Sequence, residues 1–188
     1  MKLIIIEGPD NCGKNTLIQN ILDNNDIIEV IHCHKPVNPD RDPFEEMTDT
    51  YYQHYNNIVN EYKNNYIDVI VFNRFYQSEY VYGPLYRNGD LDKIKELIND
   101  IEIKLIKNIG WENIYYIQLL SDSPDVLINN EDGQSLSTGQ YDMINEELKL
   151  FKDVYDMSIL NKCIIYVNIN NKFRKKEYIL NDLNNFIN

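Results

Sequence analysis

The stretch KLIIIEGPDNCGKNT, residues 2–16, places an apolar run directly before a glycine-containing turn. The run KLIII at residues 2–6 is followed by Gly8 and Pro9, and such a continuous apolar segment is typical of a strand buried on both faces. Residues 14–24 then show helical periodicity, with their apolar side chains on one stripe: Leu17, Ile18, Ile21 and Leu22. The stretch therefore predicts a strand, a tight turn and a helix in immediate succession.

The turn has the spacing Gly8-x-x-x-x-Gly13-Lys14, which is the pattern of a phosphate-binding loop, or P-loop. Its glycines allow backbone N–H groups to converge on phosphate oxygens, and the N-terminus of the following helix adds partial positive charge. Lys14 brings a full positive charge to the same oxygens, so we also expect it to act in catalysis. The candidate ATP-binding residues are Gly8, Asn11, Cys12, Gly13, Lys14, Asn15 and Thr16.

Position 15 departs from this pattern, because a Ser or Thr normally follows the lysine and holds Mg²⁺. Here Asn15 takes that place and Thr16 comes next. Adenylate kinases carry a similar Gly-Lys-Gly-Thr segment, also without a hydroxyl directly after the lysine. By that resemblance we expect Mg²⁺ to be held through water or by the amide oxygen of Asn15, and the loop to remain functional.

Further apolar runs alternate with helical segments along the rest of the chain. Strands are predicted at residues 27–32, 67–72, 113–120 and 163–169, and helices at 45–64, 75–86, 91–109, 141–160 and 175–187, with a short helix opening at Pro124. Five buried strands that alternate with helices predict an α/β three-layer sandwich, a five-stranded parallel sheet with helices on both faces. Ligands bind such sheets at the carboxyl ends of the strands, which is where the P-loop lies.

Composition narrows the class of protein further. A chain of 188 residues is long enough for one well-buried domain, and we expect a single domain over residues 1–188. The net charge of −12 argues against binding of a nucleic acid polymer, which needs surplus Lys and Arg. The three cysteines lack metal-site or disulfide spacing, and no apolar stretch reaches membrane-spanning length, so we expect a soluble, cytoplasmic protein.

A second motif, NRFYQSEYVYG, covers residues 73–83 at the end of the third predicted strand. Thymidylate kinases have a first motif E-G-x-D-G-x-G-K-[ST]-T and a second motif D-R-Y-x-x-S-x-x-A-Y-Q. The first resembles residues 7–16, and the second aligns without gaps on Asn73-Arg74-Phe75, Ser78 and Val81-Tyr82-Gly83. Because the order of elements also matches over essentially the whole chain, the sequence resembles the thymidylate kinase-like P-loop kinases and, more weakly, kinase-like proteins of bacteriophages.

This resemblance implies a nucleotide kinase that transfers the γ-phosphate of ATP to a deoxynucleoside monophosphate, a dTMP-like pyrimidine, with Mg²⁺ as cofactor. Arg74 would clamp the acceptor phosphate, because a planar guanidinium matches paired oxygens. Asp10 would approach the sugar 3′-hydroxyl. Lys35 would lie where the family has an arginine that touches the acceptor phosphate, and Ser78 and Tyr82 would line the nucleoside pocket.

Tyrosines of the predicted helix 45–64 are further candidates for the acceptor site. Tyr51, Tyr52 or Tyr55 could stack on the base, although core packing is the commoner role for any one of them. We take Tyr52 as the acceptor-binding candidate. The same helix is the candidate contact face for the homodimer that is usual in the family.

Several departures from the family pattern concern the metal, the base and the lid. Asn73 replaces an aspartate that helps to organise Mg²⁺, so the candidate metal-side residues Asn15, Thr16 and Asn73 are all uncharged. Gly83 replaces a glutamine that contacts thymine, which leaves the base open. The lid loop, about residues 129–140, contains no arginine, although lid arginines normally neutralise the transferring phosphate, and the P-loop has no arginine to compensate.

Two other functions stay open at this point. Glu7 lies at the tip of the first strand, where deoxynucleoside kinases carry a glutamate that deprotonates the sugar 5′-hydroxyl, so Glu7 would be the catalytic base of such an enzyme. A nucleotide kinase does not need this base, because its acceptor phosphate is already charged. The neutral residues at positions 15 and 73 and the arginine-free lid suit a catalytically silent nucleotide-binding protein instead.

The tripeptide His32-Cys33-His34 also resembles a set of metal ligands. In a strand its two imidazoles share one face while the thiol points away, and no fourth ligand is evident. We therefore expect this tripeptide to be the end of a strand near the substrate loop rather than a metal site.

Overall fold

The computed structural model describes residues 1–23, 28–131, 133, 135–170 and 172–187, and five of its strands form one parallel sheet. In chain order these strands are β1 (Lys2–Glu7), β2 (Ile28–His32), β3 (Val69–Asn73), β4 (Ile114–Leu120) and β5 (Lys162–Tyr166). Their order across the sheet is β2-β3-β1-β4-β5, with β1 in the centre. The predicted five-stranded parallel sheet is confirmed.

Helices cover both faces of the sheet, as the sequence predicts. They are α1 (Lys14–Asp23), α2 (Pro43–Asn64), α3 (Gln77–Arg87), α4 (Leu91–Ile109), α5 (Pro124–Ile128), α6 (Tyr141–Met157) and α7 (Lys176–Ile187). Leu3 and Ile5 of β1 pack in the core with α2, α3 and α4, whereas Ile4 and Ile6 pack with α1 and α7. Successive side chains of a strand point to opposite faces, so the apolar run of β1 fills the core on both sides.

Three helices differ from prediction at their ends by two residues or more, and one of them is α6, which ends at Met157 rather than at residue 160. α2 starts at Pro43 because Asp42 caps it: the Asp42 carboxylate accepts a hydrogen bond from the Glu45 N–H at 3.0 Å. α3 runs on through Gly83 and Pro84 to Arg87. It then ends at Asn88, whose left-handed backbone lets its N–H bond the Gly83 carbonyl.

The C-terminal part of the sheet region also differs from prediction. The predicted strand 163–169 divides into β5 and a separate strand β6 (Asn168–Ile169), which pairs antiparallel with β7 (Lys172–Phe173). The Val167 N–H donates to the Leu120 carbonyl at 2.9 Å, which ties the start of this hairpin to the end of β4. Strands of two residues have no periodicity to read, so the hairpin was not predicted.

Some predicted segments include residues outside the described ones: Asn24 in the first helix, Ile27 in the second strand, and Asp132 with residue 134 in the lid loop. Among the residues that are described, none of the helices is both long and apolar enough to cross a membrane.

Candidate functional site

The carboxyl ends of three neighbouring strands bring the two sequence motifs together. Ile6 of β1 is in register with Asn73 of β3, and Asn73 is in register with His32 of β2. The P-loop follows β1 and the second motif follows β3, so both motifs begin at the same edge of the sheet. His32 is the strand end that was expected near the substrate loop.

The P-loop is wrapped around the Lys14 side chain, which is almost fully buried. Lys14 Nζ donates to the carbonyl oxygens of Gly8 at 3.0 Å and Pro9 at 2.6 Å. Burial lowers the pKa of Lys14, and the nearby charge of Arg74 lowers it further. At Gly8 a Cβ atom would lie 2.5 Å from the Leu119 carbonyl oxygen, with φ at +145°, so only glycine fits there.

Arg74 has an unusual backbone conformation directly after β3. Its φ is +68°, in the left-handed region, and its N–H donates to the Ile6 carbonyl at 3.0 Å. Its guanidinium donates to the Gly8 carbonyl at 2.8 Å and to the Asp10 carboxylate at 2.5 Å, and it lies 4.8 Å from the centre of the Tyr82 ring. Strained residues of this kind persist where the surroundings hold them and cluster at functional sites.

Two cavities meet at Asp10 and Arg74. The first, which we call the loop cavity, has a volume of about 480 Å³ and is lined by Asn11, Gly13, Lys14, Asn15 and Asn73 in addition to this pair. The second, which we call the α3 cavity, has a volume of about 460 Å³ and is lined by Lys35, Tyr51, Ser78, Tyr82 and Arg87 in addition to the same pair. The P-loop and the second motif therefore surround two adjoining spaces.

Asn15 and Asn73 meet at one side of the loop cavity. The Asn73 amide nitrogen donates to the Asn15 amide oxygen at 2.8 Å and lies 3.1 Å from His32 Nδ1. Thr16, the third candidate on the metal side, instead lines a different cavity. The three residues therefore do not line one cavity, because consecutive residues at the start of α1 point in different directions, and their role at a metal stays a prediction.

The donor groups at this place decide how Mg²⁺ could be held. Among the described residues there is no group of three or more His, Cys, Asp and Glu side chains suited to a metal ion. Mg²⁺ commonly keeps several waters and takes its remaining ligands from one or two carboxylates and from substrate phosphates. Neutral amides would suit an ion bound chiefly by nucleotide phosphates and water, and Asn15 and Asn73 are the residues that would lie beside it.

Glu7 lies below the floor of the site and is fully buried. Its two carboxylate oxygens accept hydrogen bonds from the Phe75 N–H and the Ser78 hydroxyl, each at 2.6 Å. Burial raises the pKa of Glu7, and the nearby Arg74 guanidinium counters this only in part. Glu7 thus joins β1 to the start of α3, and it does not line either cavity.

Most of the candidate acceptor residues line the α3 cavity: Asp10, Lys35, Arg74, Ser78 and Tyr82. Tyr52 does not, which corrects our choice among the tyrosines. Its hydroxyl donates to Asp100 of α4 at 2.6 Å, and Tyr55 accepts a bond from Asn108 of α4 at 2.9 Å. Adjacent residues of a helix point about 100° apart, so it is Tyr51 that faces the cavity.

A third space, which we call the hairpin cavity, was missed by sequence reasoning. It has a volume of about 260 Å³ and lies between the P-loop, α1 and the β6–β7 hairpin, with Cys12, Thr16, Leu119, Val167, Phe173 and Arg174 in its lining. The Arg174 guanidinium donates to the Tyr166 carbonyl at 2.9 Å and pairs with Asp182 at 2.8 Å. This lining is largely apolar and includes a cation next to the phosphate loop.

Described residues of the predicted lid loop line both of the larger cavities. Asn130 and Ser135 line the loop cavity, and Leu136 lines the α3 cavity. Glu131 accepts hydrogen bonds from the Ser135 hydroxyl at 2.5 Å and the Asn11 amide at 3.3 Å. The Ser135 bond lowers the pKa of Glu131, so this part of the lid carries a negative charge beside the P-loop.

Comparison with known proteins bears on the fold. No protein-family profile and no curated protein sequence matches the chain. Among similar solved structures, the YorR protein of Bacillus subtilis in complex with phosphorylated GDP has 20% identity and a TM-score of 0.64, over 98% of each chain. Polyphosphate kinase 2 from Arthrobacter aurescens TC1 has 13% identity and a TM-score of 0.61, over 87% of this chain and 60% of that one. At these identities the likeness shows a shared P-loop kinase fold.

Proposed function

We propose that the chain is a nucleoside monophosphate kinase that moves the γ-phosphate of ATP to a deoxynucleoside monophosphate, as thymidylate kinases do for dTMP. One observation supports this proposal above all: the loop cavity and the α3 cavity adjoin at Asp10 and Arg74. A donor phosphate on the P-loop and an acceptor phosphate on Arg74 would then face each other across a short gap. Direct transfer requires such an arrangement.

In this proposal Lys14 and the backbone N–H groups of residues 8–16 bind the β- and γ-phosphates of ATP. Lys14 would exchange its bonds to the Gly8 and Pro9 carbonyls for bonds to phosphate oxygens. The hairpin cavity adjoins the P-loop at Gly13 and Thr16 and offers apolar walls for the donor base. Sequence reasoning had no candidate for this part of the nucleotide.

The acceptor monophosphate would replace Asp10 as the partner of Arg74, and Lys35, which also lines the α3 cavity, would add charge. An acceptor phosphate oxygen then bonds to the γ-phosphorus while the bond between that phosphorus and ADP breaks, giving ADP and a deoxynucleoside diphosphate. The residues act by position and charge rather than by covalent chemistry. Mg²⁺, held by the phosphates with Asn15 and Asn73 touching its waters, would neutralise phosphate charge.

The proposal also includes the organisation and setting of the chain. Residues 1–188 would act as one kinase domain, with the segment at about 129–140 closing over the bound phosphates. The cytoplasmic setting is part of the same proposal, since all three cysteines are unpaired thiols, as is usual in a reducing compartment. A homodimer stays a prediction, although Tyr52 and Tyr55 of the candidate contact helix are bonded to α4 within the chain.

A coupled assay for ADP formation tests the proposal directly. ATP and Mg²⁺ would be supplied with dTMP, dUMP, dGMP, dAMP or dCMP, and with thymidine as a nucleoside acceptor. We expect turnover with at least one monophosphate and none with thymidine. If folded protein turns over none of the monophosphates, the proposal is wrong.

A second candidate function is that of a nucleotide-binding protein without turnover. The hydrogen bond between Asn73 and Asn15 favours it. These two amides bond each other at the positions where the family pattern has a hydroxyl and a carboxylate for Mg²⁺. This candidate predicts that ATP raises the melting temperature without ADP formation. If the wild type has no turnover, the double variant Asn15→Thr/Asn73→Asp should gain it. If the wild type is an active kinase, the same variant should only change a rate of turnover that the wild type already shows.

A further inference from the structure

A second arginine, Arg87, lies in the wall of the α3 cavity, five residues beyond Tyr82 on α3. The side chain of Arg87 is 15% exposed, and its guanidinium pairs with the Glu79 carboxylate at 2.6 Å. Glu79 is buried, and the same carboxylate oxygen also accepts a bond from the Tyr51 hydroxyl at 3.3 Å. Arg87 is therefore held in one orientation with its guanidinium in the cavity lining.

Gly83 explains why Glu79 can occupy this position. A Cβ atom at Gly83 would lie 2.8 Å from Glu79 Oε1 and 2.8 Å from Ile94 Cδ1. Any side chain at residue 83, including the glutamine expected from the family pattern, would displace the Glu79 carboxylate. The missing side chain at Gly83 and the fixed guanidinium of Arg87 are thus two parts of one arrangement.

Arg87 and Tyr82 both have polar atoms that lack a partner within the described part of the chain. Arg87 Nε and the Tyr82 hydroxyl are buried and make no hydrogen bond there. Buried polar groups without a partner cost free energy, so native structures almost always pair them with protein, water or ligand. Both residues line the α3 cavity, so a ligand in that cavity is well placed to accept these bonds.

The two cavity linings indicate which part of a ligand would meet Arg87. Arg74 lines both cavities, whereas Arg87 lines only the α3 cavity. The Arg87 guanidinium therefore lies in the part of the α3 cavity that is not shared with the loop cavity. With its phosphate on Arg74, a nucleoside monophosphate would place the edge of its base at Arg87.

We propose, on the basis of the proposed function, that Arg87 reads the base of the acceptor and selects bases with an oxo group on that edge. Guanine offers two acceptors there, O6 and N7, which match two guanidinium N–H donors, and thymine offers O4. Adenine and cytosine instead present an amino group at the same place, which cannot accept from a cation. The acceptor class is therefore dGMP, dTMP or dUMP rather than dAMP or dCMP, with dGMP bound best.

Changes to the ligand test this proposal without any change to the protein. Binding of dGMP, 7-deaza-dGMP, dTMP, dAMP and dCMP would be measured by calorimetry, and kcat/KM by the coupled assay. We expect dGMP and dTMP to exceed dAMP and dCMP by about 10- to 100-fold, the range of a bidentate base contact. Loss of N7 in 7-deaza-dGMP should cost about tenfold, as for a hydrogen bond to a charged group.

Changes to the protein test the role of Arg87 itself. Since Arg87→Met alone would leave Glu79 buried and charged, the variant is the double change Glu79→Gln/Arg87→Met. We expect it to bind all the monophosphates within about threefold of one another. The matched control is Arg41→Met/Asp49→Asn, which removes an ion pair of 2.5 Å outside both cavities and should keep the wild-type preference. Arg87→Lys keeps the positive charge but lacks the planar pair of N–H donors of a guanidinium. This variant should bind dGMP and 7-deaza-dGMP with similar affinity.

The outcomes separate this proposal from the proposed function. Turnover with an unchanged base preference in the double variant would overturn the role of Arg87 and leave the kinase function standing. Selective binding of oxo bases without turnover would support Arg87 and overturn the kinase function. Preference for dAMP or dCMP in the wild type would overturn the role of Arg87 whatever the turnover.

Discussion

The loop cavity and the α3 cavity are built in different ways, although they share Asp10 and Arg74. The loop cavity is formed mainly by consecutive residues of the P-loop, and its shape depends on backbone atoms and one buried lysine. The α3 cavity is formed by side chains from the end of β2, from α2, from α3 and from the lid loop. Phosphate binding is thus local in the sequence, whereas the space for a base depends on distant segments.

This difference predicts different responses to substitution. In the loop cavity the neighbours of a critical atom are backbone groups, which cannot move away. In the α3 cavity the neighbours are the ends of side chains, which can change rotamer at a smaller cost. The following predictions test that contrast, in order of expected effect.

Gly8→Ala is expected to have the largest effect. Its Cβ would lie 2.5 Å from the Leu119 carbonyl oxygen, in a backbone conformation that alanine rarely adopts. We expect the free energy of unfolding to fall by about 3 kcal/mol or more, with loss of nucleotide binding. Urea unfolding and ATP titration measure both. Gly133→Ala is the control: its φ is +79°, but apart from its chain neighbours no atom of the described residues lies within 4 Å of its Cβ position, so it should cost about 1 kcal/mol.

Arg74→Lys tests the border between the two cavities. Lysine keeps the charge but loses the planar fork that contacts both Gly8 and Asp10. We expect kcat/KM for the acceptor to fall about 100-fold, while the Kd for ATP changes little. Arg41→Lys, on an exposed ion pair, should leave kcat/KM within about threefold. An equal loss of ATP and acceptor binding would contradict a role specific to the acceptor.

Gly83→Ala tests a glycine of α3 whose neighbours are the ends of side chains. Its Cβ would meet the ends of the Glu79 and Ile94 side chains at 2.8 Å, rather than backbone. We expect a loss of about 1–2 kcal/mol in the free energy of unfolding. Ile94→Val removes the methyl group at which one of these contacts occurs, so the same alanine should cost less in that background. A cost as large as that of Gly8→Ala would contradict the difference between the cavities.

Glu7→Gln is expected to have the smallest effect on stability, and its sign depends on pH. Because burial raises the pKa of Glu7 above its ordinary value of 4.5, the stability it adds is fully present below pH 4.5 and is lost as pH rises through the folded-state pKa. The variant should therefore gain stability relative to wild type as pH increases, as urea unfolding at pH 4 to 8 would show. Glu29→Gln, exposed on β2, controls for the loss of one negative charge.

The same variant separates two of the candidate functions. A monophosphate kinase should keep most of its activity after Glu7→Gln, since glutamine can still accept from the Phe75 N–H and bond Ser78. A nucleoside kinase with Glu7 as base should lose its activity. Turnover of thymidine by the wild type and not by the variant would support the nucleoside kinase.

The fold and the loop cavity could be predicted because their signals are local. A buried run followed by Gly8, Gly13 and Lys14 marks both the central strand and the phosphate site, and α5 begins at Pro124 as expected. The closeness of Asn15 and Asn73 could also be predicted, because the P-loop follows β1 and Asn73 ends the adjacent strand β3. That Thr16 lines the hairpin cavity instead could not be predicted, because sequence spacing does not show which way a side chain points at the start of a helix.

The α3 cavity could be predicted only in part. Its Arg74, Ser78 and Tyr82 belong to one motif, but the selection of a tyrosine from α2 depends on helix rotation, and Tyr52 was chosen where Tyr51 faces the cavity. Arg87 lies beyond the motif, and Gly83 and Pro84 suggested that the helix ended before it. Nothing in the local sequence indicates that Glu79 would hold this arginine.

The adjoining of the two cavities at a single ion pair has a consequence for inhibitor design. Two nucleosides joined through a chain of phosphates could enter both spaces at once, with the chain passing over Asp10 and Arg74. Tethering turns the second binding event into an intramolecular one, so affinity rises steeply once the chain spans the border and declines when it is longer. The number of phosphates in the tightest such compound would measure the separation of the two nucleoside sites in solution.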